Sequence, residues 1–163
     1  PFVGLETKVE DFEGTLDATD SMVSACDLVM GSVHRFPGEE GRVRGFGEVD
    51  PKEAVETEFR LSMAALENPD LDILGHPFGM SYRRFAMWPD EERVRRVIRQ
   101  ASKNSKAIEI NCRYHPDPWL WIEWCLDEGA MISLGSNAHD LGTVGQIIRV
   151  LKGEEASWNP SES

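Results

Sequence analysis

At 163 residues the chain is long enough for one domain that buries about two thirds of the surface its unfolded form exposes, and too short for two. Lys and Arg number 17 against 29 Asp and Glu, a formal charge of -12, so a nucleic-acid backbone would be repelled on average and is not expected as a partner. The cysteines, Cys26, Cys112 and Cys125, form no CxxC pair, which argues against a disulfide framework or zinc knuckle and fits a reducing cytoplasm, and no apolar run reaches the roughly 18 residues of a membrane span.

Short apolar runs alternate with longer amphipathic ones, the pattern expected of an α/β domain in which helices join parallel strands. The first run, Pro1 to Glu6, is followed by a short helix expected over Ala18 to Ala25 and by a second run from Asp27 to His34. PGEEGRVRGFGEVD, Pro37 to Asp50, is loop by composition and a candidate mobile lid. Asp50, Pro51 and Glu53 then supply the cap, first-position proline and capping box of a helix with Val55, Phe59, Met63 and Leu66 on one face, ending near Asn68. A third run, Leu71 to His76, precedes a helix over Asp90 to Lys103. There Val94, Val97, Ile98 and Ala101 share a face, while Glu91 with Arg95 and Glu92 with Arg96 pair on the solvated one. The fourth run, Lys106 to Asn111, leads to a helix opened by Asp117 and Pro118 and closed by Gly129, whose WLWIEWCL segment reads as packed into the outer layer. The fifth run, Ala130 to Gly135, precedes a last helix marked by Val144, Ile147, Ile148 and Leu151. Residues 1–152 are the expected domain, and 153–163 a polar tail.

The polar residues at the run ends raise the functional question. MISLGSNAHD, Met131 to Asp140, passes from an apolar strand into Asn137 and His139, spaced to share a face. The first, second, third and fifth runs lead to Glu6, His34, His76 and His139, and the fourth to Asn111. In domains of alternating strand and helix, the C-terminal strand ends face one mouth where active sites are assembled. Three imidazoles and a carboxylate there suit zinc, manganese or iron, and coordination stabilises charge that would otherwise be costly in a crowded site.

With those residues in view, the chain resembles the PHP family, the polymerase and histidinol phosphatase superfamily of metal-dependent phosphoesterases. The matching pieces are GLE at Gly4 to Glu6, DLVMGSVH at Asp27 to His34, LDILGHP at Leu71 to Pro77, IEIN at Ile108 to Asn111 and SLGSNAHD at Ser133 to Asp140. The resemblance implies a distorted, TIM-like seven-stranded β/α barrel with two or three divalent metal ions at its C-terminal mouth, Glu6 bridging and His34, His76 and His139 as ligands. It also implies hydrolysis of a small phosphate monoester, histidinol phosphate being the namesake substrate, by a metal-bound hydroxide. Two departures stand out. The opening His-x-His strand of the family, with the ligands that follow it, has no counterpart, so the chain reads as a partial barrel lacking roughly its first two strands. Asn137 stands where the family carries a metal-binding Asp, and an amide brings no charge, so one metal position is weakened.

An unclosed barrel exposes strand edges, so a missing N-terminal segment or a second copy is expected to close it, and the start at Pro1 without Met points to removal of something upstream. Arg35, Arg113 and His115 follow strand ends and are candidates for substrate phosphate; the bland alternatives are solvated charge for the arginines and a loop residue for His115. Glu109 and Asn111 share a strand face as supports behind the ligands, and Cys112 has no neighbouring base and reads as a structural thiol. The competing function is a non-catalytic PHP-like structural or interaction module with an incomplete metal site. A nuclease of the same family is disfavoured by the negative charge.

Overall fold

Each of the five apolar runs becomes a strand, and every pairing between them is parallel, because helix-bearing connections return the chain to the same end of the sheet. A computed structural model describes residues 2–156, so Pro1 and most of the expected tail lie outside the described residues. In chain order the described strands are β1 (Gly4–Lys8), β2 (Leu28–Ser32), a short antiparallel pair β3 (Phe36–Pro37) and β4 (Val43–Arg44), then β5 (Ile73–Gly75), β6 (Ala107–Ile110) and β7 (Met131–Leu134). The parallel sheet has the order β1-β2-β5-β6-β7, which leaves β1 and β7 as its edges among the described residues. Cys26, Cys112 and Cys125 are free thiols.

The helices are α1 (Asp20–Ser24), α2 (Pro51–Glu67), α3 (Gly79–Phe85), α4 (Glu91–Lys103), α5 (Pro118–Asp127) and α6 (Gln146–Leu151). Local chemistry starts most of them. Asp50, Asp90 and Asp117 each accept a backbone N–H of the first turn, and Pro51 and Pro118 sit where a missing N–H costs nothing. None is long and apolar enough to cross a membrane among the described residues.

Register sorts the sheet into two faces. Thr7, Gly31, Leu74, Ile108 and Ile132 align in one row, and the first four are buried. This face meets Leu61, Ala65 and Leu66 of α2, Val94, Val97 and Ile98 of α4, and Trp121 and Trp124 of α5 in one apolar core. The opposite row, Glu6, Met30, Ile73, Ala107 and Met131, is half-buried or exposed. Ile98 has no exposed surface, so Ile98→Ala is expected to destabilise the fold by about 2–5 kcal/mol in denaturant unfolding; a loss below about 1 kcal/mol would mean the site collapses around the void.

Three elements differ from the sequence reading. The Pro37 to Asp50 stretch contains part of the β3/β4 pair rather than loop alone, and the Arg44 guanidinium ties it to Glu53 of α2 while Phe36 is buried against Phe85 at 5.9 Å. Helix α3 was not expected: its N-cap position is Phe78, which has no side-chain oxygen to signal a start. Helix α6 begins at Gln146, after Gly145 takes a left-handed conformation (φ 73°), and turns Ile147 and Val150 inward while Val144 and Ile148 stay exposed.

Candidate metal centre

Three strand ends bring their polar side chains to one point. Glu6 lies on the uncovered face of β1, where Ser32 of β2 donates its hydroxyl to Oε1 at 3.0 Å and orients the carboxylate. His34 follows two residues after Ser32, and His76 directly follows β5. One candidate ligand atom each from Glu6, His34 and His76 lies within 4.8 Å of the other two. The two Nε2 atoms approach to 2.9 Å, and His34 Nε2 is 3.6 Å from Glu6 Oε1.

The tautomer of His76 is set from behind. Glu109 of β6, buried with it, accepts both the His76 backbone N–H at 3.0 Å and ring Nδ1–H at 2.8 Å through one oxygen, leaving the Nε2 lone pair facing His34 and Glu6. Burial alone would raise the Glu109 pKa, but the His76 hydrogen bond and the Asn111 amide outweigh it and hold the carboxyl below its ordinary range. Gly135 makes room: a Cβ there would fall 2.0 Å from Glu109 Oε1. Burial, and then the neighbouring His76, lower the pKa of His34 and favour the neutral ring. Two neutral imidazole nitrogens and a carboxylate, one imidazole braced by a second carboxylate, fit a divalent cation.

His139 stands outside the group, exposed on the loop after β7, where the chain turns through Asn137 (φ 44°). Asn137 itself lines a cavity of about 310 Å³ with Glu6, Met30, Ile73 and Glu109. Arg35 is exposed and lines a neighbouring cavity of about 390 Å³ with Lys8, Asp17 and Arg42. Arg113 is half-buried beside Arg83, whose guanidinium donates to the Arg113 carbonyl at 3.5 Å; burial, and then Arg113, hold the Arg83 pKa down. Asn111 braces the loop, its side-chain oxygen accepting from the N–H groups of Arg113 and Tyr114.

His115, expected as a substrate contact, is placed in the core and not at the mouth: it is 1% exposed, lies 4.3 Å from the Trp121 ring and accepts the Asn111 N–H at Nδ1. Sequence reasoning also missed three supports. Ser32 was findable, since it shares a strand face with His34. Tyr114, stacked on His76 at 4.3 Å, and Arg83, 5.5 Å over Tyr114, meet the site only through tertiary packing.

The fold and site define an α/β domain with a cation-competent cluster at adjoining parallel strand ends. The chain is similar to proteins named probable phosphatases. One from Thermoanaerobacter sp. (strain X514) is 26% identical over 160 residues that cover 91% of this chain and 58% of the relative. One from Caldanaerobacter subterraneus subsp. tengcongensis is 28% identical over 160 residues, 91% of this chain and 56% of the relative, and one from Clostridium novyi is 26% identical over 155 residues, 90% and 55%. The likeness supports a phosphatase family. The chain spans a little over half the length of these curated relatives. No family model matches it.

Proposed function

We propose that the chain is the metal-holding part of a PHP-type phosphoesterase, a partial β/α barrel that hydrolyses a small phosphate monoester of the histidinol phosphate kind. The observation that carries this reading is the convergence of Glu6, His34 and His76 with Glu109 braced behind His76. A divalent ion of zinc, manganese or iron, one of two or three in a complete site, would lower the pKa of bound water towards neutrality and offset charge developing on the phosphoryl group. Glu6, His34 and His76 would hold it, with Ser32 and Glu109 fixing the first and last of these. Asn137, at the cavity shared with Glu6, would offer a neutral oxygen to a weaker position. Arg35 and Arg113 would bind substrate phosphate through planar guanidinium forks. The β1 and β7 edges would be covered by a further segment or a second copy, since unpaired strand edges invite pairing.

A second reading, a non-catalytic module, is favoured by the position of His139 outside the ligand group. Elemental analysis of the desalted chain, followed by phosphatase assay with added Mn²⁺, separates the two. Expected are one or more equivalents of zinc, manganese or iron per chain, lost in Glu6→Ala and His76→Ala, with phosphate release that falls in both variants. Metal that stays bound in both variants would refute the assignment, and bound metal without hydrolysis of any phosphomonoester would support the module.

A further inference from the structure

Glu58, a residue of α2 outside the ligand group, has no evident reason to be ionisable where it stands: it is 1% exposed, on the same helix face as Val55, Phe59 and Ser62. Its carboxylate is fully engaged. Oε1 accepts the Met80 N–H at 3.1 Å, and Oε2 accepts the Ser81 N–H at 2.7 Å and the Ser81 hydroxyl at 2.6 Å. These are the N–H groups at the start of α3, which a local Ser or Asp would ordinarily cap but Phe78 cannot.

The segment so held carries His76. Between β5 and α3 the chain turns through His76 (φ 27°) and Phe78 (φ 64°), both left-handed, and such conformations persist only where the surroundings over-determine them. Two carboxylates from different elements do this: Glu109 grips His76 at the entrance of the turn, and Glu58 grips Met80 and Ser81 at its exit. Between the two grips, Gly79 lies under the His76 and Tyr114 rings so closely that a Cβ would stand 2.7 Å from Tyr114 and 3.1 Å from His76.

We propose that Glu58 is a positioning residue for the metal centre, capping α3 from α2 and thereby holding the turn that aims His76 at Glu6 and His34. This rests on the metal reading given above. Burial, only partly offset by the Ser81 and Met80 hydrogen bonds, pushes the Glu58 pKa up to about 7, so a plain apolar residue would suit the core better than an acid. The acid is explained by the three donors at the exit of the turn.

The test is Co²⁺ titration, followed by visible absorption, of the chain as wild type, Glu58→Gln and Ser81→Ala, at a temperature where circular dichroism shows each folded. Glu58→Gln turns an amide toward donors, and affinity is expected to fall about tenfold or more with a changed absorption band, as for other residues that support metal ligands. Ser81→Ala keeps the acid and removes one donor, so a smaller fall is expected, and it carries the test if Glu58→Gln does not fold. A purely structural cap would lower the melting temperature and leave Co²⁺ affinity and spectrum unchanged; that result overturns the inference while the metal reading stands. Wild-type protein that takes up no Co²⁺ overturns both.

Discussion

Glu109→Ala is expected to lose both stability and metal affinity, whereas Glu109→Gln is expected to lose mainly affinity. One oxygen of Glu109 accepts two buried donors, the backbone N–H and ring Nδ1–H of His76. Alanine leaves both unpartnered, at about 1–3 kcal/mol each, and frees the ring to take the other tautomer, in which Nε2 carries the proton. The amide oxygen of glutamine can replace both hydrogen bonds but brings no negative charge. It therefore keeps the ring in place while making the imidazole a poorer ligand. Removing such a carboxylate typically weakens metal binding about 10–100-fold. Denaturant unfolding measures the first effect, and Zn²⁺ or Co²⁺ titration the second. Nitrogen chemical shifts of the His76 ring report the tautomer. Equal stability of wild type and Glu109→Ala would show that water or another group satisfies His76 and that Glu109 does not brace the ring.

The parts of this site that were legible in the sequence are those governed by short-range geometry. Glu6, His34 and His76 could be placed because a strand fixes the direction of side chains at its own end, and His76 directly follows β5. His139 obeyed the same rule on paper, but it lies five residues beyond Leu134, and over that distance the loop, turning at Asn137, decides where the imidazole goes. His115 lies away from the strand-end group for a related reason. The chain folds back after β6, with the His115 N–H bonded to the Asn111 carbonyl at 3.0 Å, and the ring goes into the core instead of the mouth. The strands and the long helices were readable from their apolar periods and aspartate caps; α3 was not, because its cap comes from Glu58 in another helix. That acid did leave a trace: Val55 and Phe59 mark the apolar face of α2, and an acid at Glu58 between them is an anomaly that a scan for buried charge would catch.

The fully buried His115 makes the stability of the fold depend on pH in a way that its variant will expose. Burial is the largest cause of its lowered pKa, about 4, with the nearby Glu109 charge opposing and His76 reinforcing the shift. An unfolded chain takes up a proton on this ring near pH 6.5, while the folded one resists until about pH 4, so the unfolded state binds more protons throughout that window. Stability from His115 is thus complete above pH 6.5 and drains away as pH falls, by about 3 kcal/mol in all, at about 1.4 kcal/mol per pH unit. Glu58 works in the opposite sense: its raised pKa means that the folded state binds the extra proton between the ordinary carboxyl range and pH 7, so stability there falls as pH rises. The two opposing slopes overlap, which flattens the wild-type profile and hides both groups. His115→Phe separates them. The phenyl ring can still pack on Trp121 but leaves the Asn111 N–H without its acceptor, so at pH 7 the variant is expected to be less stable by about 1–3 kcal/mol. It carries no titrating ring, so its disadvantage shrinks as the medium is acidified, and near pH 4 the variant should match or exceed the wild type. Urea unfolding at intervals between pH 4 and 7 measures the difference directly. A difference that stays constant with pH would mean that His115 titrates alike in both states and is not the buried neutral ring that its packing against Trp121 requires.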